Sequence, residues 1–266
     1  MKNINIVICC IVIQFIMTVN GSAQIIELKP AISIIAIDGD LSEWGDQISL
    51  KDKKGKISYL ISNDRNNLYL VLKTKDSLCQ ANILGSGITF TVSTNNPNVN
   101  QKVTFPLKGK EDPSEYMNMD KEQVAMKTIL ARYKRIGVLN FKNIKAEELS
   151  TTNPYGIKVA LGYTEDGDMV YEEAIPLTLL FPDGINEKCS YSIKVNGLAR
   201  KIFYQGHSEM VPVGNRSSKN KEERIKEFVV TSFRGNFQMG GPMPQSDYED
   251  KLTADIQVNG EFIFAK

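Results

Sequence analysis

Residues 156–176 read GIKVALGYTEDGDMVYEEAIP, and this stretch decides the fold class. Apolar side chains alternate with other residues from Ile157 to Tyr163, which is typical of a strand with one buried face. A second apolar run, Met169–Ile175, follows the dipeptide Asp166-Gly167, which favours the tight turn of a hairpin. The stretch therefore predicts two antiparallel strands joined by a short turn.

The same period-two pattern recurs along most of the chain, in short runs separated by Gly, Asn, Asp and Pro. It predicts strands at Ala31–Ile37, Ile57–Ser62, Leu68–Lys73, Gly87–Ser93, Lys102–Pro106, Gly156–Tyr163, Met169–Ile175, Ser190–Asn196, Lys226–Phe233 and Thr253–Phe264. Many short strands with hairpin turns and few helices favour an all-β fold, an antiparallel β-sandwich.

One α-helix is predicted inside a long insertion at about 108–150. Asp120 can cap this helix, with Gln123 three residues later completing a capping box. Ile129 and Tyr133 continue an apolar stripe at helical spacing. The insertion is therefore predicted to contain one helix, which Gly137 can end, and a second short helix is predicted around 219–225.

The N-terminus predicts export. Residues 1–23 read MKNINIVICCIVIQFIMTVNGSA, in which Lys2 precedes a short apolar stretch and small residues come before Gln24. This is the order of a secretory signal peptide. The apolar stretch is also shorter than the ~20 residues that a membrane-spanning helix needs. We therefore expect cleavage after Ala23, no integral membrane segment, and a location in the periplasm, at the cell surface or outside the cell.

The remaining chain, 24–266, shows no internal repeat and no clear linker, so we expect a single domain with a C-terminal extension at about 200–266. The full chain has 32 Lys and Arg against 31 Asp and Glu. Loss of Lys2 with the signal peptide leaves 32 − 1 = 31 basic residues, which balance the acidic ones. Balanced charge does not indicate a nucleic-acid partner.

Two cysteines, Cys79 and Cys189, remain after removal of the signal peptide. Outside the cytoplasm two thiols can form a disulfide. Cys79 follows one predicted strand and Cys189 precedes another, so the sequence leaves open both a bridge and two separately buried thiols.

Four stretches resemble the carbohydrate-binding module family 9-like domain, also called DOMON-like. Residues 37–44, IDGDLSEW, resemble the opening I-D-G-x-L-x-x-W of that family. Residues 63–70, NDRNNLYL, match its D-x-x-x-L-Y hairpin, and residues 172–177, EEAIPL, are close to its E-x-x-I-P-W turn. Residues 189–196, CSYSIKVN, are similar to its late strand ending in Asn.

The resemblance implies an immunoglobulin-like or DOMON-like sandwich. It assigns a structural role to Asp38, Gly39, Trp44, Tyr69, Glu172 and Pro176. The residue types agree with this role. The Trp44 ring can pack against the sandwich as an apolar plug. The Glu172 carboxylate shares its strand face with apolar side chains, so it must find hydrogen-bond donors.

The resemblance also implies a function. Family 9-like modules bind sugar chains through stacked aromatic and polar side chains, and some hold calcium. The only tryptophan here, Trp44, occupies the structural position, so sugar contacts are expected from loop tyrosines, with Tyr116, Tyr155 and Tyr204 as candidates. We expect non-catalytic binding of a polysaccharide or oligosaccharide. The alternative is an envelope domain, structural or protein-binding, that has lost the sugar site.

Catalytic and metal sites receive little support from the sequence. Glu172 and Glu173 are neighbours on a strand, so their side chains point to opposite faces and cannot flank one glycosidic bond. His207 is the single histidine, without the motif of a nucleophilic site. The acids of 38–43 and 166–168 lack the full calcium-loop signature and are interpreted as turn residues. We expect no enzyme, no metal and no cofactor, with calcium the only ion considered.

Overall fold

Two β-sheets packed face to face form the protein, which confirms the all-β sandwich predicted from the sequence. A computed structural model describes residues 25–31, 35–93, 100–107, 130–184, 188–198 and 252–265. The first sheet has seven strands, in the spatial order β1 (Ile25–Glu27), β13 (Ile256–Ile263), β12 (Lys188–Val195), β6 (Ile88–Ser93), β7 (Asn100–Phe105), β8 (Arg135–Leu139) and β9 (Glu148–Ser150).

The second sheet has six strands. Five follow the order β10 (Lys158–Tyr163), β11 (Met169–Pro176), β5 (Asn67–Thr74), β4 (Ser58–Asn63) and β2 (Lys29–Pro30), and β3 (Leu50–Lys51) also pairs with β4. The β10–β11 pair is the hairpin predicted from the opening stretch, and its register places Tyr163 opposite Met169. Only β1 and β2 pair in parallel with their neighbours among the described strands.

The core lies between the two sheets. The hydroxyl oxygens of Tyr59 on β4 and Tyr191 on β12 are 3.1 Å apart, and the ring centroids of Phe105 on β7 and Tyr171 on β11 are 6.4 Å apart. Each pair joins one sheet to the other. The alternating apolar residues of the strands therefore meet in one continuous core.

Helix α1 (Ser77–Ser86) was not predicted from the sequence. Asp76 caps it by accepting a hydrogen bond from the backbone N–H of Cys79, and residues 78–85 are all buried. A helix buried on all sides lacks the polar face that makes helices recognisable. A four-residue helix, α2 (Leu177–Leu180), follows β11. Within the described part of the chain, no helix is both long and apolar enough to cross a membrane.

The insertion predicted to be helical at 108–150 is partly built of strands. Residues 108–129 lie outside the described residues, but 135–150 contain β8 and β9, which extend the first sheet. The alternation in Ile136 and Val138, which buries both side chains, is the signal that the prediction overlooked. The predicted helix is therefore wrong for residues 135–137, because Gly137, its expected end, lies in β8.

Four further sequence predictions concern segments near the two ends of the chain. The predicted C-terminal extension includes β13, which lies between β1 and β12 inside the first sheet. The predicted strand Ala31–Ile37 is wrong for its described residues, because Ile35 and Ile37 pack onto the second sheet instead of joining a ladder. The strand predicted at Lys226–Phe233 and the helix predicted at 219–225 lie outside the described residues.

The outer faces of the two sheets differ. Residues 35–48, called the covering segment below, lie over the second sheet. A separate apolar cluster there includes Trp44, Leu60, Tyr69, Val71 and Ala174. The outer face of the first sheet carries polar side chains that are exposed or partly exposed, such as Thr91, Ser190 and Asn259. The sandwich thus has one covered face and one polar face.

The N-terminal segment 25–31 joins the sheets along one side. β1 pairs with β13 in the first sheet, and β2 pairs with β4 in the second. Between them Leu28 is 3% exposed and packs into the shared core. The start of the described chain is therefore an integral part of the sandwich.

Candidate functional site

Glu172 lies at the centre of the best-defined polar cluster. Its side chain points from β11 to the covered face of the second sheet, as the strand alternation predicts. Oε2 accepts hydrogen bonds from the backbone N–H groups of Asp38 at 3.0 Å and Gly39 at 2.7 Å, and Oε1 accepts one from Trp44 Nε1 at 2.6 Å. We call Glu172, Asp38, Gly39 and Trp44 the anchor cluster.

Gly39 is needed for this geometry. Its φ is +87°, a conformation that favours glycine. A Cβ at this position would lie 2.7 Å from the backbone carbonyl of Leu161 on β10. The close approach brings the 38–39 turn onto the edge of the second sheet, within reach of Glu172.

Trp44 is 1% exposed, and its ring packs edge-on against Tyr69 with the centroids 5.6 Å apart. The Tyr69 hydroxyl donates to Asp64 Oδ2 at 2.7 Å and accepts from Asn67 Nδ2 at 3.2 Å. Burial and the hydrogen bond to the Asp64 carboxylate raise the pKa of Tyr69 to about 12. The Trp44 ring therefore has no free face on which a sugar could stack.

The electrostatics of the anchor cluster fit a holding role. Burial raises the pKa of Glu172, while the hydrogen bonds from Trp44, Gly39 and Asp38 lower it. Both carboxylate oxygens of Glu172 accept hydrogen bonds from the covering segment. Glu172 therefore holds this segment on the second sheet.

The remaining structural-motif residue, Pro176, ends β11 and stands just before α2. The nearby Tyr155, a candidate sugar contact, is partly buried and packs against the core between the sheets. Its backbone N–H donates to Asn153 Oδ1 at 3.1 Å. Tyr155 is not part of the anchor cluster. The other candidates, Tyr116 and Tyr204, and also His207, lie outside the described residues.

Cys79 and Cys189 are both buried and both free thiols. Cys79 lies in α1 and Cys189 in β12. Burial raises the pKa of Cys79 to about 12 and that of Cys189 to about 11. The structure thus has the arrangement of two separately buried thiols, and the disulfide considered from the sequence is not formed.

Two of the acids considered as calcium ligands, Asp38 and Asp40, accept turn hydrogen bonds. Asp38 Oδ1 accepts from the backbone N–H of Asp40 at 3.0 Å, and Asp40 Oδ1 accepts from that of Ser42 at 2.7 Å. Near the other candidate pair, the backbone N–H of Asp168 donates to Thr164 Oγ1 at 3.1 Å. Among the described ranges, no three His, Cys, Asp or Glu side chains are placed to hold a metal ion.

Glu173 points to the opposite face from Glu172, into the core between the sheets, and is fully buried. Its Oε2 accepts a hydrogen bond from the Tyr171 hydroxyl at 2.6 Å, whereas Oε1 has no partner. Burial raises the pKa of Glu173 to about 8. The alternation of β11 directs the Glu173 side chain to the face opposite that of Glu172. The first sheet, which packs against this face, is what buries it.

A scan against protein-family models finds none that matches this chain, and a search of curated proteins finds no relative. The resemblance to family 9-like domains therefore stays an expectation drawn from its four motifs.

Proposed function

We propose that the protein is an exported, non-catalytic β-sandwich that binds a glycan. The observation that supports this most is the anchor cluster. Glu172 binds the 38–39 turn and Trp44, which lie 134, 133 and 128 positions away in the chain. Residues from two of the motifs that resemble family 9-like domains are thus joined by hydrogen bonds. This is expected if the chain shares the core of that family.

Export is part of the proposal. The first described strand, β1, begins at Ile25, downstream of the expected cleavage after Ala23. A mature chain starting at Gln24 would keep every described strand. The proposed location is the periplasm, the cell surface or the outside of the cell, and the proposed partner is a polysaccharide or oligosaccharide.

The test is a binding screen with the mature chain, 24–266. We would probe an array of plant, host and bacterial glycans and measure each positive by isothermal titration calorimetry. Saturable binding of at least one glycan class, lost when the protein is unfolded, is the expected result. No binding to any class would overturn the proposal.

A second candidate function is a structural or protein-binding domain of the envelope. The observation that favours it is the burial of Trp44, which removes the only tryptophan from any sugar-stacking role. Crosslinking followed by a pull-down from envelope extract separates the two functions. One stoichiometric protein partner, without affinity for any glycan, would favour the second.

A further inference from the structure

We propose that the glycan binds on the outer face of the seven-stranded sheet, and that the ligand is an uncharged polyhydroxylated chain. This inference rests on the proposed glycan-binding function and names its surface and its ligand class. The surface is formed by the outward side chains of four neighbouring strands, β13, β12, β6 and β7, and is called the polar grid below.

The strand register aligns the polar grid in rows. In the middle row, Asn259 lies opposite Ser192, Ser192 opposite Thr91, and Thr91 opposite Lys102. Neighbouring strands are about 4.8 Å apart, so this row of four residues spans about 14 Å. Three of the side chains are short and the fourth, Lys102, is long, and all four are exposed or partly exposed. An extended chain could therefore contact several of them at once.

Side-chain hydrogen bonds within the grid hold these groups in place. The Thr89 and Thr104 hydroxyl oxygens are 2.9 Å apart, across the β6–β7 pair. Gln257 Nε2 donates to Ser192 Oγ at 3.1 Å and to Asn259 Oδ1 at 3.0 Å. Groups that are already ordered lose less conformational entropy when a ligand binds.

The same groups keep capacity for a ligand. A serine or threonine hydroxyl has one donor and two lone pairs, and an asparagine or glutamine amide has two donors and two lone pairs. The hydrogen bonds within the grid use only part of this capacity. Hydroxyls of a sugar chain both donate and accept, so they match a surface of mixed donors and acceptors.

The charges around the grid favour an uncharged ligand. Three ion pairs lie on or beside it, Lys188–Glu261, Lys194–Asp255 and Arg135–Glu148. Each pair neutralises a cation that could otherwise attract an acidic chain. The middle row contains Lys102, and its ammonium group can donate hydrogen bonds to neutral hydroxyls as well.

The second sheet does not offer an equivalent surface among its described residues. Its outward side chains at Leu60, Val71 and Ala174 are buried under the covering segment 35–48. Among the described residues, the polar grid is therefore the broad sheet face that a ligand can reach without displacing another segment.

The test compares variants of the grid with a matched control. Thr91→Val and Ser192→Ala each remove a hydroxyl at nearly constant volume, and Thr152→Val makes the first change on an exposed bend outside the grid. We would titrate cello-, xylo-, manno- and malto-hexaose, with polygalacturonate and heparin as acidic probes. Each grid variant should raise the Kd for the best neutral hexaose about fivefold, since a neutral hydrogen bond contributes about 1 kcal/mol. The control should leave it unchanged.

Lys102→Gln tests the ligand class, because it removes the charge and keeps hydrogen-bond donors. We expect the Kd of this variant for the neutral hexaose to stay within about threefold of the parent value and to be insensitive to salt. Preferred binding of an acidic probe that is lost in Lys102→Gln would overturn the uncharged class.

The outcomes separate this inference from the proposed function. If a glycan binds and the grid variants match the Thr152→Val control, the grid is not the site, although the protein still binds glycans. Loss of binding in Tyr155→Ala alone would point to the loop tyrosine instead. If no probe binds the parent protein, both proposals fail. Circular dichroism of each variant shows that loss of binding does not reflect unfolding.

Discussion

The indole N–H of Trp44 donates a hydrogen bond to Oε1 of Glu172 at 2.6 Å, between residues 128 positions apart. This contact fastens the covering segment to the second sheet. It also explains how one carboxylate is kept on a face lined by Val71 and Ala174, since its oxygens are fully paired.

Glu172→Ala should destabilise the protein by about 4 kcal/mol, because it leaves three N–H donors of the anchor cluster without their acceptor. Glu172→Gln keeps one carbonyl oxygen and should cost about 2 kcal/mol. Urea unfolding followed by circular dichroism measures both. Glu165→Ala, in an exposed turn, is the matched control and should change stability by less than about 0.5 kcal/mol. Equal stability of Glu172→Ala and the control would contradict the role of the anchor.

Trp44→Phe should cost about 2 kcal/mol, because the ring is retained in part while Oε1 of Glu172 loses its donor. The same residue provides a probe, since it is the only tryptophan of the chain. Native fluorescence should resist quenching by acrylamide and shift to longer wavelength on unfolding. Efficient quenching of the native protein would show that Trp44 is exposed.

Glu173 should make stability fall as the pH rises from about 4.5 to about 8. Burial raises its pKa from 4.5 to about 8, so in this window the folded protein keeps a proton that the unfolded chain has released. Burial of Glu172 raises its pKa in the same direction. Glu173→Gln cannot titrate and should reduce this pH slope, whereas Glu165→Gln should not. Urea unfolding at a series of pH values measures it, and an unchanged slope in Glu173→Gln would refute the assignment.

The thiols of Cys79 and Cys189 should both be protected in native protein made as residues 24–266. Cys79 is fully buried and Cys189 is 2% exposed, and burial raises the pKa of each. We expect almost no reaction with a thiol reagent in native buffer and two reactive thiols per chain in denaturant without reductant. A count of zero in denaturant would mean that the two cysteines form a disulfide.

Leu28→Ala should destabilise the protein by about 3 kcal/mol, because Leu28 fills the core where the N-terminal segment joins the sheets. Ile25→Ala is the matched control. Ile25 is 51% exposed on β1, so its truncation should cost less than about 1 kcal/mol. Thermal unfolding of both variants checks the prediction. A smaller loss in Leu28→Ala than in Ile25→Ala would show that the segment does not close the sandwich.

The strands were predictable where one face of the strand is apolar. The β10–β11 hairpin follows directly from alternation and an Asp-Gly turn, both of which are local signals. Helix α1 was missed because burial on every side removes the helical period from its sequence. β8 was missed because the helix predicted in the insertion extended into it as far as Gly137, and β9 is only three residues long.

The candidate site, like the fold, was predictable from the sequence only in part. The resemblance placed Glu172, Asp38, Gly39 and Trp44 among the structural residues, but it did not identify them as hydrogen-bond partners. The polar grid was not recognised, although its strands were predicted, because Ser and Thr at outward positions look like an ordinary solvated face. Its rows exist only when strands that are distant in sequence lie side by side, as Thr91 does with Ser192.

The sequence by itself determined the all-β class and the opposite directions of Glu172 and Glu173, since both follow from the two-residue repeat of a strand. Tertiary structure decided what lies against each face. The covering segment supplies donors to Glu172, and the first sheet buries Glu173 with one oxygen unpaired. A strand's own residues specify which side chains share a face, but the neighbouring layer comes from other parts of the chain and determines whether that face is open, paired or dry.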